Sequence, residues 1–259
     1  MSGAKIRSFD AYREPTLKPL AKPIENKYSS VLERGGSKAG LNKTFDLFEN
    51  GCTCLIEFEP TVPITAVMSF ILPVLGRFVS MGGSAYLLPP QQFKVAELTQ
   101  IIPQLVTPEG LADRLRVWVD VQGFSEPYLT TFSPQSPESD LSSTDRVRSE
   151  LRKRSSMGGV FVVRSLDKIE GLFPNRLGEV KGGLLRSIGA GSAMGDVNVI
   201  MSSSTASLLS SFSTISSRHI KFEAHSGAVV VYGIKPWTRS YLVRSASSAT
   251  LFPHLFAIE

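Results

Sequence analysis

From about residue 44 onward, short runs of β-branched and aromatic residues punctuate the chain: TCLIEF (53–58), SAYLL (84–88), RLRVWVD (114–120), GVFVV (159–163) and VNVIM (197–201). Their length and nearly continuous apolar character suit strands buried on both faces of a sheet. Between them, near 65–79, 92–105 and 177–190, apolar residues recur at helical spacing. Strands alternating with helices predict an α/β fold, a mostly parallel sheet flanked by helices. Past Met201 the texture changes to RHIKFEA, GAVVVYGI and RSYLV, joined by short Gly/Ser or Pro turns. That pattern predicts C-terminal antiparallel hairpins closing one edge of the sheet.

Three stretches depart from this rhythm. Residues 1–35 hold Pro15, Pro19 and Pro23 among many charges and read as an extended N-terminal arm, leaving 36–259 as one core. Residues 133–158 are polar and Ser-rich with Pro134 and Pro137, which predicts a flexible insertion carrying a short helix at 144–154. The Ser/Thr-rich stretch 202–217, studded with Leu and Phe, reads as a surface loop with one packed side.

Charge is concentrated at the start. Residues 1–44 carry nine Lys/Arg against four acids, a surplus of five that equals the +5 of all 259 residues. A basic arm on a neutral body fits nucleic acid or an acidic partner, and equally a solubilising tail. No run approaches the roughly 20 apolar residues of a membrane span, so no membrane role is expected. The opening MSGAKIRSFDAYREP lacks a signal peptide's apolar segment, so the expected location is the cytoplasm. Cys52 and Cys54 alternate on one strand and are expected as buried small hydrophobes facing the same side. His219, His225 and His254 have no metal-ligand spacing and suggest no triad, so they read as structural or exposed, with no metal or cofactor expected. GAGSAMG (189–195) follows a helical segment, the wrong order for a dinucleotide fingerprint, and reads as a helix-ending turn.

The strand TCLIEF followed by EPTVPITAVMSFILPVL is a strand–loop–helix unit, the setting of a phosphate-binding loop with the pattern GxxxxGK(S/T). The stretch AGLNKTFDLFENGCTCLIEFEPTVPIT (39–65) resembles the opening of KaiC-like and RadA-like members of the RecA superfamily. The order of YLLPPQQ, RLRVWVD, GVFVVRSLD and VNVIMSSS extends the resemblance over about residues 38–245. It implies a RecA-like fold and self-association, as a homo-oligomer or with a RecA-like paralogue.

Set against that family's pattern, Glu59, Pro60 and Thr65 agree, whereas Phe58 replaces the first glycine, Pro63 the second and Ile64 the lysine. Phe58 adds bulk where backbone should meet phosphate, Pro63 removes an N–H donor, and Ile64 removes the cation. Arg164 stands at the family's magnesium-associated acid position, with Ser165 retained, and Pro89, Pro90 and Gln91 replace the family's water-orienting Glu pair. The resemblance and these losses together imply a pseudo-ATPase that acts by binding: a DNA-associated recombination or repair accessory, or a protein-only scaffold subunit of a RecA-like ring. Arg164 is expected as an internal cation in the old nucleotide pocket, or paired there with Glu57 or Glu59, or else as a strand-end group reaching solvent. The candidate nucleic-acid contacts are Lys5, Arg7, Arg13, Lys18 and Lys22 in the arm, Arg146, Arg148, Arg152, Lys153 and Arg154, and Arg176 and Lys181. Trp237, between two predicted strands, is expected as a turn packed on the core, with Lys235 and Arg239 beside it as descendants of the family's subunit-bridging cations.

Overall fold

The computed structural model describes residues 48–49, 51–120, 125–131, 134–244 and 254–258. The arm, with Lys5, Arg7, Arg13, Lys18 and Lys22, lies outside the described residues. Strands β1 (Thr53–Phe58), β2 (Ser84–Leu88), β3 (Leu115–Val119), β4 (Leu129–Thr131), β5 (Val160–Ser165), β6 (Val197–Ser203), β7 (Arg218–His225), β8 (Ala228–Lys235), β9 (Tyr241–Arg244) and β10 (His254–Ala257) form one sheet. Its order is β10-β9-β8-β7-β1-β6-β5-β2-β3-β4. The seven strands from β7 to β4 pair in parallel. The last three add antiparallel at the β7 edge, the C-terminal hairpins expected from the sequence.

Every residue of β1, β2, β5 and β6 is buried, because helices cover both faces. On one face lie α1 (Ile64–Ser80), α2 (Val95–Leu105) and α3 (Pro108–Arg114); on the other lie α4 (Pro137–Arg154), α5 (Leu166–Leu172), α6 (Leu177–Ala193) and α7 (Leu209–Ile215). The two-residue period of β5 divides between them: Phe161 and Val163 enter the α1-side core, while Val160 and Val162 enter the α4-side core. Helix α1 has twelve of its seventeen residues buried, so it is apolar nearly all round. Gly76 lets it approach α2, since a Cβ there would stand 2.5 Å from that of Leu105. Among the described residues, no helix is long and apolar enough to cross a membrane.

The insertion expected at 133–158 is instead dominated by an eighteen-residue helix, α4. Ser136 caps it by accepting from the Ser139 N–H at 3.2 Å, and Pro137 opens its first turn. Its buried stripe is Pro137, Asp140, Thr144, Arg148 and Leu151, a helical spacing filled mostly by polar residues. Apolar periodicity therefore could not reveal it. The stretch 202–217 likewise contains the end of β6 and helix α7, anchored by the fully buried Phe212. Within 189–195 the helix α6 runs to Ala193, and the turn is made by Gly195 at φ 82°.

Besides its apolar contacts, α4 is tied to the sheet by a buried carboxylate. Asp196, with no exposed surface, accepts from the Val160 N–H at 3.0 Å and from Arg152 at 3.2 and 2.6 Å. Arg148 Nε lies 3.3 Å from its Oδ2, an ion pair too poorly aligned for a hydrogen bond. Gly191 leaves room for this pair, because a Cβ there would meet both partners at 2.9 Å. Removing one member of such a set leaves buried charge uncompensated, which costs about 3–5 kcal/mol. Asp196→Ala is therefore expected to lower the urea midpoint by a free energy in that range. A loss below about 1 kcal/mol would mean that α4 is held by apolar contact alone.

Candidate functional site

In an open parallel sheet, ligands bind beyond the carboxyl ends of strands whose helices leave on opposite faces. Here β1 and β6 are such neighbours, since α1 covers one face and α7 the other. The turn from β1 into α1, residues 59–63, sits at that crevice. Phe58 ends β1 with its ring in the α1-side core, and its backbone lies in register between Ser203 and Phe222. The Glu59 N–H donates to Phe222 O at 3.1 Å, and its carboxylate accepts from the Ala224 N–H at 3.2 Å. Val62 N–H closes the turn on Glu59 O at 2.9 Å. Pro60 and Pro63 have no N–H. Four of the seven backbone positions from Glu59 to Thr65 thus offer no N–H to a ligand. Ile64 packs half-buried against the core, and Thr65 is exposed.

The neighbouring loop is closed as firmly. Asp167 on α5 accepts from the Ser203 N–H at 2.8 Å and from its hydroxyl, and Glu170 accepts from the N–H groups of Ser207 and Leu208 at 3.0 and 2.8 Å. Ser204 N–H donates to Phe58 O at 2.8 Å, tying the two loops together. Ser165 caps α5 through the Lys168 N–H, and Lys168 stands 3.5 Å from Asp120 at the end of β3. After β2, Pro89 and Pro90 are buried and Gln91 is exposed. Among the described residues, no three His, Cys, Asp or Glu side chains converge as a metal set.

Arg164 is an internal cation, but it makes no hydrogen bond or ion pair with Glu57 or Glu59 and does not reach solvent. It is 3% exposed and turns to the face covered by α4 and α6. Its guanidinium donates to Asn198 Oδ1 at 3.2 Å and Ser187 Oγ at 3.3 Å, and stands 6.0 Å from the centre of the Tyr86 ring. Ser187 in turn donates to Asp145 at 2.7 Å. Burial pulls the Arg164 guanidinium down to about 10, so it stays charged at neutral pH. Tyr86, beside it, is pushed up to about 12 by burial. Tyr86, Trp118, Asp140, Thr144 and Arg164 help to line a cavity of about 30 Å³, room for a water or two. A larger groove of about 590 Å³ runs between α4 and α6.

Glu57 is engaged elsewhere, in an arrangement hidden from sequence inspection. The β1–β7 register sets Lys221 opposite it and His219 two positions earlier on the same face, and His219 Nε2 meets its carboxylate at 2.9 Å. The Ser213 hydroxyl lies 3.4 Å from Nδ1 of the same ring. Lys221 stands 3.6 Å from Glu57 and 2.9 Å from Glu223, to which Tyr232 also donates at 2.8 Å. The His219 hydrogen bond holds the Glu57 carboxyl below its usual range, against the opposing effect of burial. His219 is thus structural, as expected, and His225 is exposed beside Glu223. Cys52 and Cys54 are both buried in the α1-side core, and burial pushes the Cys54 thiol well up.

The cations expected at a nucleic-acid surface divide. Arg148 and Arg152 turn inward to Asp196, because α4 packs that stripe on the sheet, and so do not belong to that surface. Lys153 pairs with Glu150, Arg176 with Glu179, and Arg154 donates to Asp113 O at 3.1 Å, all at exposed sites. Arg146 and Lys181 are exposed with no acidic partner among the described residues. Trp237 is not packed on the core: it is 81% exposed at the β8–β9 turn, with Lys235 and Arg239 exposed beside it.

No protein family profile matches the chain, and no curated protein does. Its shape, however, is shared with solved structures. A KaiC-like protein of the archaeon Pyrococcus horikoshii superposes with a TM-score of 0.57 at 12% identity, over 84% of this chain and 95% of that one. The uncharacterized protein PH0321 of the same organism, solved with an unknown peptide, gives 0.58 at 11% identity over 91% and 100%. The flagellar accessory protein FlaH of Methanocaldococcus jannaschii gives 0.54 at 12% identity over 86% and 97%. The parallel core, the helices on both faces and these likenesses together give the chain a RecA-like fold, similar to that of KaiC-like proteins.

Proposed function

We propose that this chain is a non-catalytic RecA/KaiC-like protein that works by binding, with DNA as its ligand in a recombination or repair setting. The observation that carries the non-catalytic reading is the β1–α1 turn. A phosphate loop works by aiming successive N–H groups and a lysine at the anion. Here those positions hold two prolines, N–H groups already bonded to the protein, and Ile64. The charge-reversed Arg164 bonds to Asn198 and Ser187, and the carboxylates of Asp167 and Glu170 are occupied by backbone N–H groups. Of the groups that hold phosphate and magnesium in the family pattern, the exposed Thr65 hydroxyl remains, without the lysine and without the acid at position 164.

The DNA part of the reading rests on the basic N-terminal stretch: residues 1–44, which include the arm, carry a surplus of five cations, equal to that of the whole chain. Exposed Arg146 and Lys181 add to it. A RecA-like core presents different surfaces on its two sides, so it self-associates head to tail into rings or filaments, or pairs with a RecA-like paralogue. The inward turn of Arg148 and Arg152 favours a second reading, a protein-only scaffold subunit of a RecA-like ring, because it thins the basic surface outside the arm.

Fluorescence anisotropy with labelled single- and double-stranded DNA separates the two. The full chain is expected to bind at about 50 mM salt and to lose at least tenfold in affinity by about 200 mM, as for a protein neutralising several phosphates. Deleting residues 1–35 should remove most of that affinity, and added MgATP should leave it unchanged. No binding at low salt would contradict the DNA reading and leave the scaffold reading. An affinity that shifts with MgATP would contradict the non-catalytic one.

A further inference from the structure

The β8–β9 turn displays what a soluble surface ordinarily avoids. Trp237 is 81% exposed and Ile234 is 42% exposed, side by side in an isolated β-bridge. The turn beneath them is fixed. The Gly233 N–H donates to Thr238 Oγ1 at 2.7 Å, and the Thr238 N–H returns to Gly233 O at 3.0 Å. Gly233 is required there, since a Cβ would fall 2.5 Å from Pro236 O. The indole is therefore held outward on a short, hydrogen-bonded scaffold.

Its electrostatic setting narrows the partner. Lys235 and Arg239 flank Trp237, both exposed and without an acidic partner among the described residues. From Ser226 to Ile258 the sequence contains three Lys/Arg, namely Lys235, Arg239 and Arg244, and no acid. A flat aromatic ring between two unpaired cations matches a polyanion that also offers flat rings. A second copy of this chain would have to meet that charge with acids, whereas the phosphates and bases of a single strand meet both features at once.

We infer that the β8–β9 turn is a single-stranded nucleic-acid contact, in which Trp237 stacks on a base and Lys235 and Arg239 hold the flanking phosphates. The inference rests on the DNA-binding reading above and adds a site and a strand form to it. A duplex keeps its bases stacked inside, so this contact favours single strands. It is separate from the arm, so the two contributions are separable by mutation.

Intrinsic fluorescence tests it directly, because the chain has two tryptophans and Trp118 is buried. Full-length protein is titrated with unlabelled oligothymidylate, and affinity is measured in parallel by anisotropy with a labelled copy. Oligothymidylate is expected to quench the emission of the wild type and of Trp118→Phe, and to leave that of Trp237→Phe unquenched. Trp237→Ala should bind about 5- to 150-fold more weakly, the worth of one stacked base, and Trp237→Phe should retain most of the affinity. The double variant Lys235→Ala/Arg239→Ala should flatten the salt slope by about 0.7 per cation. Binding of wild type and Trp237→Ala with equal affinity and no quenching would overturn the inference while leaving the DNA reading intact. No binding of the wild type at about 50 mM salt would overturn both. A sedimentation change in Trp237→Ala with unaltered affinity for the strand would overturn it in favour of a contact between copies.

Discussion

Four adjacent strands, β1, β6, β5 and β2, have no face open to solvent, so the charged groups placed on them have to find their partners inside the protein. That constraint organises the molecule. Glu57 meets His219 and Lys221 across the β1–β7 ladder; Arg164 and Asn198 meet on adjacent strands and reach Ser187 on α6. Asp196, just ahead of β6, draws Arg148 and Arg152 of α4 down onto the sheet. Each of these charges would be costly alone. Together they help to fix where α4, α6 and α7 lie, alongside the apolar contacts of that face.

The same constraint explains what the sequence disclosed and what it hid. TCLIEF and SAYLL are legible as strands to the residue, because burial on both faces leaves a continuous apolar run. The antiparallel edge is legible from its turns. Helix α4 is not, because its inward stripe is Asp140, Thr144 and Arg148, and a count of apolar spacings reads that as solvent-facing. The short strands β4 and β10 carry too few residues to show a period. At the site, the substitutions at Phe58, Pro63, Ile64 and Arg164 stand in the sequence, but their geometry does not. Which partners Arg164 meets depends on which face of β5 it occupies. The Glu57–His219 pair spans 162 positions and becomes a pair only through strand register.

At the carboxyl ends of β1 and β6, the loop groups bond to one another. Loop N–H groups that could grip an anion bond to Phe222 O and Glu59 O, and the carboxylates nearest the strand ends bond to the loop after β6. Exposed cations stand instead at the turn that carries Trp237, where Lys235 and Arg239 flank the ring.

The account stands most directly on the claim that the β1–α1 turn holds no nucleotide. Titration calorimetry of the full chain with MgATP measures this. The closed turn, without lysine and with Pro63 in place of a donor, predicts no saturable heat at micromolar ligand. Saturable binding at micromolar affinity would contradict it, and would mean that a phosphate can be held here without the lysine and N–H groups that ordinarily do so.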